Sequence, residues 1–368
     1  MKIGIDCRLW NESGVGRYIR NLVIALGSLD RRNEYVLFLL PGDIKDERIP
    51  ARFKKVSADV PWHTLREQVA MPKIFLRETL DVLHIPYVNA PLFYPKRFVI
   101  TVHDLTPIKY PTPKASKLPA FSYALKLLFY YLVLFFGVRK SSKVIAVSEA
   151  TRRDVMGIFR LKSDKIEVCY NFNLNFKCSK PAEHRENYIL YVGNAYPHKN
   201  LQRLVKAYEI FMGLCKEKAA ILPDLVLVGR EDYFYDKLKR ELPVAVKPRI
   251  IFEGFVEDAR LEELYSKALF VIQPSLYEGF GFQLLEAFSA GNLVLCSDIP
   301  VFRELAGDAV VYFDPRSSED MAQKLFLGMS MPDSERLEYI IKGQKTLFHF
   351  SPDREVKKVL EIYKGNNI

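Results

Sequence analysis

Two carboxylates and a glycine-rich turn stand together in the stretch Gln273-Pro-Ser-Leu-Tyr-Glu-Gly-Phe-Gly-Phe-Gln-Leu-Leu-Glu-Ala-Phe-Ser-Ala-Gly291. Its left end follows the apolar run Ala268–Ile272, which reads as a buried strand. From Phe282 the apolar residues Leu284, Leu285, Ala287 and Phe288 recur at helical spacing, and Gly291 suits the left-handed position past a helix end. Glu278-Gly-Phe-Gly281 is therefore a glycine loop that opens a helix. Such a loop lets backbone approach a ligand closely, and a helix start offers unpaired N–H groups to an anion. With Glu278 in the loop and Glu286 in the helix, the pattern suits a phosphate on the helix N-terminus and polar hydroxyls on the two glutamates. The competing reading is a plain βα turn, in which the glycines serve the bend and Glu286 is a solvated helix residue. Short motifs alone do not separate the two.

Other residues suited to chemistry fall at equivalent places. Lys199 follows the strand-like run Tyr188–Gly193 and opens a helix carrying Leu201, Leu204, Val205, Tyr208 and Phe211. A cation there can meet a phosphate. Surface solvation is the ordinary fate of a lysine. Arg230 ends the apolar run Leu225–Arg230. His103 and Asp104 follow Val99–Val102, although His103 could simply cap that strand by bonding to backbone. Gly14 and Gly16 lie between a first strand, Lys2–Asp6, and a helix bearing Ile19, Leu22, Val23 and Leu26. Close packing of helix on strand would explain those glycines equally well. In open α/β sheets, ligands sit beyond the carboxyl ends of strands. All of these candidates fall there, which weighs more than any single motif.

The elements that must position them alternate strand and helix through both halves. This predicts two parallel, doubly wound α/β domains with a cleft between them. A length of 368 residues also exceeds one ordinary core. A composition 49% hydrophobic and 27% charged is globular. The formal charge of +10 favours anionic partners: phosphorylated ligands, acidic membrane surfaces or nucleic acid. No recognised nucleic-acid-binding motif accompanies it. The five cysteines are odd in number and lack CxxC spacing, so a reduced, cytoplasmic compartment is expected. The six histidines show no metal-ligand spacing, and no Asp-x-Asp pair is present, so no metal is expected. The N-terminus passes straight into a strand and does not read as a signal peptide. Periodicity is lost over Asn171–Glu186, where a linker is expected. The apolar run Pro119–Val138 could just span a bilayer. A strand follows at once, so a long, mostly buried helix is expected instead, and its aromatic and basic edge could rest on an anionic membrane surface.

Four segments together resemble glycosyltransferase family 4: Tyr191-Val-Gly-Asn-Ala-Tyr-Pro-His-Lys-Asn-Leu201, Leu227-Val-Gly-Arg230, the Glu278 to Glu286 segment, and Asp298-Ile-Pro-Val-Phe-Arg-Glu304. The resemblance extends to Gly14-Val-Gly16 and Thr101-Val-His-Asp104. It implies a GT-B fold: two Rossmann-like domains facing an interdomain cleft, an acceptor domain at 1–173 and a donor domain at 184–350. A final helix, 351–368, would cross back to the first. By the same resemblance, Glu286 would bond the ribose and Glu278 the donor sugar. Backbone N–H groups of Gly279, Phe280, Gly281 and Phe282 would lie near sugar and phosphate. Lys199 would contact the diphosphate, His103 would lie near the reacting carbon, and Gly14 and Gly16 would let their loop approach the phosphate and acceptor.

Many members of that family carry an arginine in the turn where this chain has Asn194, which makes Arg230 a weak substitute candidate. The implied reaction is metal-independent, retaining transfer from a nucleotide sugar to a saccharide or lipid-linked saccharide in surface polysaccharide synthesis. GDP-mannose is favoured over a UDP-sugar. The enzyme would be cytoplasmic, or peripheral on the inner face of the plasma membrane. No nucleic-acid partner is expected. A non-catalytic scaffold in a glycan-synthesis complex and a nucleotide-sugar epimerase are the alternatives.

Overall fold

The computed structural model describes residues 1–12, 14–112, 119–174 and 184–365. The chain divides into two compact units. One comprises Met1–Ile108, Leu118–Leu174 and Phe350–Ile368, and the other Lys109–Lys117 and Asn175–His349. Most of the Asn171–Glu186 linker and Cys178 lie outside the described residues. The four described cysteines are buried free thiols.

The first unit contains β1 (Lys2–Asp6), α1 (Gly14–Leu29), β2 (Glu34–Leu39), β3 (Lys54–Ser57), α2 (Leu65–Leu76), β4 (Val82–Ile85) and β5 (Phe98–Val102). After the single turn α3 (Thr106–Lys109) come α4 (Ala120–Lys140), β6 (Lys143–Ala146), α5 (Glu149–Phe159) and β7 (Ile166–Val168). The strands form one parallel sheet in the order β3-β2-β1-β4-β5-β6-β7. Alternate residues of each strand face opposite sides. Ile3, Leu37, Val82, Val99 and Ile145 pack on α1. Val36, Leu83, Ile100 and Val144 pack on α2, α4 and α5.

The second unit contains β8 (Tyr188–Val192), α6 (Leu201–Glu217), β9 (Asp224–Val228), α7 (Tyr233–Glu241), β10 (Ile250–Gly254) and α8 (Asp258–Lys267). Then follow β11 (Phe270–Gln273), α9 (Phe282–Ser289), β12 (Val294–Ser297), α10 (Pro300–Ala306), β13 (Val311–Phe313), α11 (Ser318–Ser330) and α12 (Asp333–Thr346). Its parallel sheet runs β10-β9-β8-β11-β12-β13. The last helix, α13 (Pro352–Lys364), belongs to the first unit. Its Val356, Val359, Ile362 and Tyr363 enter the core beneath α1.

Three expectations need correction. β3 carries no strand signal in the sequence, and with it Phe98–Val102 is the fifth strand along the chain. Lys54-Lys-Val-Ser57 is a partly exposed sheet-edge strand and carries no apolar alternation. α2 was missed too, because Pro72 sits inside it. Finally, α4 is not mostly buried: within its apolar stretch Phe121–Lys140 only 22% is buried. Its C-terminal half reaches the sheet through Leu134 and Val138, whereas Phe121 is 81% exposed. Gly137 makes that approach possible, since a Cβ there would meet Cβ of Ala90 at 2.3 Å.

Candidate active site

In each sheet the strand order reverses beside the first strand, at β1/β4 and β8/β11. In open α/β sheets such a reversal beyond the strand ends is where ligands bind. In the second unit, the β8 loop carries Lys199 and the β11 loop carries Glu278. Both are positioned by backbone. Pro197–Lys199 forms a 3-10 turn, and Asn200 then takes a left-handed conformation with φ 65°. Asn200 Nδ2 donates to the carbonyls of Pro274 (3.0 Å) and Pro315 (2.7 Å). The Leu276 N–H donates to the His198 carbonyl at 2.7 Å. The two loops are thus stitched together.

Across that seam, Lys199 Nζ lies 2.5 Å from Glu278 Oε1, and the two side chains are 9% and 11% exposed. Ser275 Oγ donates to the same oxygen at 2.8 Å. Burial pushes the Glu278 carboxyl up. The Lys199 ammonium, with His198 and the Ser275 hydroxyl, more than offsets this and holds it below the ordinary carboxylate range. Lys199 is therefore no solvated surface lysine.

α9 begins at Gly281, whose φ of 109° is left-handed. A Cβ there would lie 2.8 Å from the Phe302 ring, so both backbone and space demand glycine. Phe280, the side chain between the glycines, is buried at 4% exposure and packs edge-on against Phe282 at 5.4 Å. Glu286 is half-buried one turn along α9 and accepts a hydrogen bond from Tyr265 Oη at 2.9 Å. An anchored, half-buried carboxylate is not the solvated helix residue of the competing reading. Arg230 is exposed just past β9, one strand outside the reversal.

Sequence reasoning missed Ser275, Tyr265 and a stack of rings. Tyr110, whose segment belongs to the second unit, stacks on Tyr277 at 5.7 Å, and Tyr196 stacks on His198 at 6.1 Å. Ser275 was detectable as a hydroxyl in the Pro-Ser pair ahead of the loop. Tyr265 had no signal, because it meets Glu286 only through packing of α8 on α9.

In the first unit His103 follows β5, half-buried. Its Nε2–H donates to the Pro86 carbonyl at 2.9 Å, which leaves Nδ1 as the acceptor of the neutral ring. Burial pushes its pKa down, despite that bond and Asp104. The backbone bond foreseen as the alternative role is therefore real, and it also fixes the tautomer. The Tyr18 ring stands edge-on to His103 at 4.8 Å. Beneath them, His84 joins Thr101 Oγ1 (2.8 Å) to Tyr363 Oη of α13 (2.6 Å). Gly14 and Gly16 are not loop residues, since α1 already starts at Gly14. A Cβ on Gly16 would meet the carbonyls of Leu9 at 2.6 Å and Trp10 at 2.7 Å. Gly16 therefore serves close packing of the β1–α1 loop on the helix. Gly14 has open space around it.

The model of the glycosyl transferases group 1 family matches residues 175–346, and the Glycosyltransferase Family 4 model matches residues 13–172. The chain belongs to glycosyltransferase family 4. It is 29% identical over 235 residues to the O-antigen chain mannosyltransferase RfbU of Salmonella typhimurium, covering 64% of this chain and 62% of that protein. It is 28% identical over 238 residues to O-antigen chain mannosyltransferase B of Escherichia coli, covering 60% of each. Each match thus spans less than two thirds of the curated relative. Among solved structures, WaaG, a glycosyltransferase involved in lipopolysaccharide biosynthesis, superposes with a TM-score of 0.74 at 15% identity over 100% of both chains. This likeness shows that the chain has the GT-B fold.

Proposed function

We propose that this chain is a metal-independent retaining glycosyltransferase. In this reading it moves mannose from GDP-mannose to a hydroxyl of a saccharide or lipid-linked saccharide in surface polysaccharide synthesis, on the cytoplasmic side of the membrane. The observation that carries it is the Lys199–Glu278–Ser275 cluster at the β8/β11 reversal, with Glu286 anchored behind the start of α9. The mannosyl donor is supported by the two O-antigen mannosyltransferases above.

The acceptor O–H adds to the anomeric carbon on the face that the diphosphate leaves. The anomeric C–O bond breaks, and the acceptor's proton passes to the departing phosphate oxygen. Lys199, held by Glu278, is placed to shift its charge toward the phosphate as negative charge develops. The helix start adds N–H groups of Gly279 to Phe282, in a site where such electrostatics are worth several kcal/mol. Glu278 accepts from sugar hydroxyls and Glu286 from the ribose. His103, neutral with Nδ1 as acceptor, receives a hydroxyl of sugar or acceptor. Residues 184–350 form the donor domain and 1–173 the acceptor domain.

A thermal-shift series with GDP, UDP, ADP and their sugars tests the donor, since a ligand that binds only folded protein raises Tm. GDP and GDP-mannose are expected to stabilise in magnesium-free buffer with chelator. Stabilisation by UDP and not GDP would overturn the donor assignment. Turnover that appears only on adding a divalent ion would overturn metal independence.

A further inference from the structure

α2 and α4 lie on the same face of the first sheet, where Met71 and Phe75 of one share a core with Leu134 and Val138 of the other. Their outer surfaces are apolar. On α4, Phe121, Leu125, Leu128, Leu132 and Phe136 recur at helical spacing and are 40–81% exposed. On α2, Leu65, Val69 and Leu76 are 73%, 53% and 37% exposed. Phe93, in the β4–β5 loop, is 69% exposed beside a shallow groove lined by Leu92, Phe136, Arg139 and Lys140. Exposed apolar residues gathered on two helices that cover one face of the sheet mark an interaction site.

The charges around it have one sign. α4 contains no Asp or Glu, and its Lys126, Arg139 and Lys140 are exposed. On α2, Arg66, Lys73 and the C-cap Arg77 are exposed, whereas Glu67 is buried against Arg8. A symmetric self-interface here would set cations against cations, because both copies present the same patch. A spanning role for α4 conflicts with the packing of Leu134 and Val138 on the sheet. A helix with an apolar stripe and cationic flanks lies in the plane of a bilayer surface, and cations there are drawn to anionic headgroups.

We propose that the α2–α4 face docks flat on an anionic lipid bilayer, with the apolar stripes entering the headgroup–acyl boundary and the cations of both helices meeting lipid phosphates. This holds whatever sugar is transferred.

The test is flotation of the intact protein with vesicles of phosphatidylcholine, with and without phosphatidylglycerol. Binding to the anionic vesicles, weakened by salt, is expected. Absence of that binding, or equal binding to neutral vesicles, would overturn the proposal. Leu125→Glu with Leu128→Glu should abolish flotation. Arg66→Glu with Lys73→Glu should weaken it at least about five-fold per cation. These side chains point outward, so circular dichroism should match the parent. If the α2 variant floats like the parent, the surface does not include α2 and the proposal fails. A dimer in light scattering that dissociates with Leu125→Glu would show the stripe to be a self-interface, which also overturns it.

Discussion

Removing the cation at Lys199 should destabilise the protein in a way that depends on pH. With Lys199→Met, Glu278 keeps the Ser275 hydroxyl but loses the ammonium at 2.5 Å. Stripping one partner from a buried pair costs roughly 3–5 kcal/mol. Both side chains keep about a tenth of their exposure, which favours the lower end, about 3 kcal/mol. At about 2–4 °C per kcal/mol for a domain of this size, Tm should fall by about 6–12 °C near neutral pH.

The pH dependence identifies the cause. In the parent, Glu278 is held below its ordinary value. Its contribution is present above the unfolded carboxylate pKa and is lost as pH falls through the folded one. In the variant, burial is opposed only by the Ser275 hydroxyl and His198 and raises the carboxyl, so its stability is greatest when protonated and declines as pH rises. The gap between parent and variant should therefore widen from about pH 4 to about pH 7. Adding Glu278→Gln to Lys199→Met removes the stranded charge and should recover much of the loss. Thermal melts followed by circular dichroism at several pH values measure both effects. A gap that does not change with pH, or a double variant no more stable than the single, would refute the reasoning.

Two further outcomes follow from the same geometry. Gly281→Ala places a Cβ at 2.8 Å from Phe302 on a backbone with φ 109°, and should cost about 1–3 kcal/mol in a urea titration. An unchanged midpoint would show that α9 can start without the strained turn. His84 is buried and neutral, with its pKa pushed down to about 3 by burial and by His103. Above about pH 6.5 it adds no pH dependence. Below that the unfolded chain takes up the proton and the folded one does not, so stability falls toward pH 3 by up to about 1.4 kcal/mol per pH unit. His84→Asn should flatten that acid limb relative to the parent. Equal limbs would mean that His84 is protonated in the fold.

Much of the site was legible because it is local. A strand, a glycine turn and a helix start are written within one short stretch, so the Lys199 and Glu278 loops and the helix from Phe282 could be read from spacing. Residues joined across packed elements were not legible. Tyr265 on α8 reaches Glu286 on α9, and Tyr363 near the C-terminus reaches His84 on β4. Neither pair has a spacing rule. α2 and β3 are not legible because an internal proline and a pair of lysines erase the apolar periodicity that marks helix and strand.

The sequence by itself determined the alternation of strand and helix, and with it the strand ends on which Lys199, Glu278 and His103 sit, because apolar periodicity and turn chemistry act over a few residues. Only the tertiary structure decided that Lys199 and Glu278 form one buried ion pair, that Gly16 serves packing, and that α4 shows its apolar stripe to solvent beside α2. Those outcomes depend on which strands become neighbours and which helix faces find a partner, and a periodic pattern marks an apolar face without saying what will cover it.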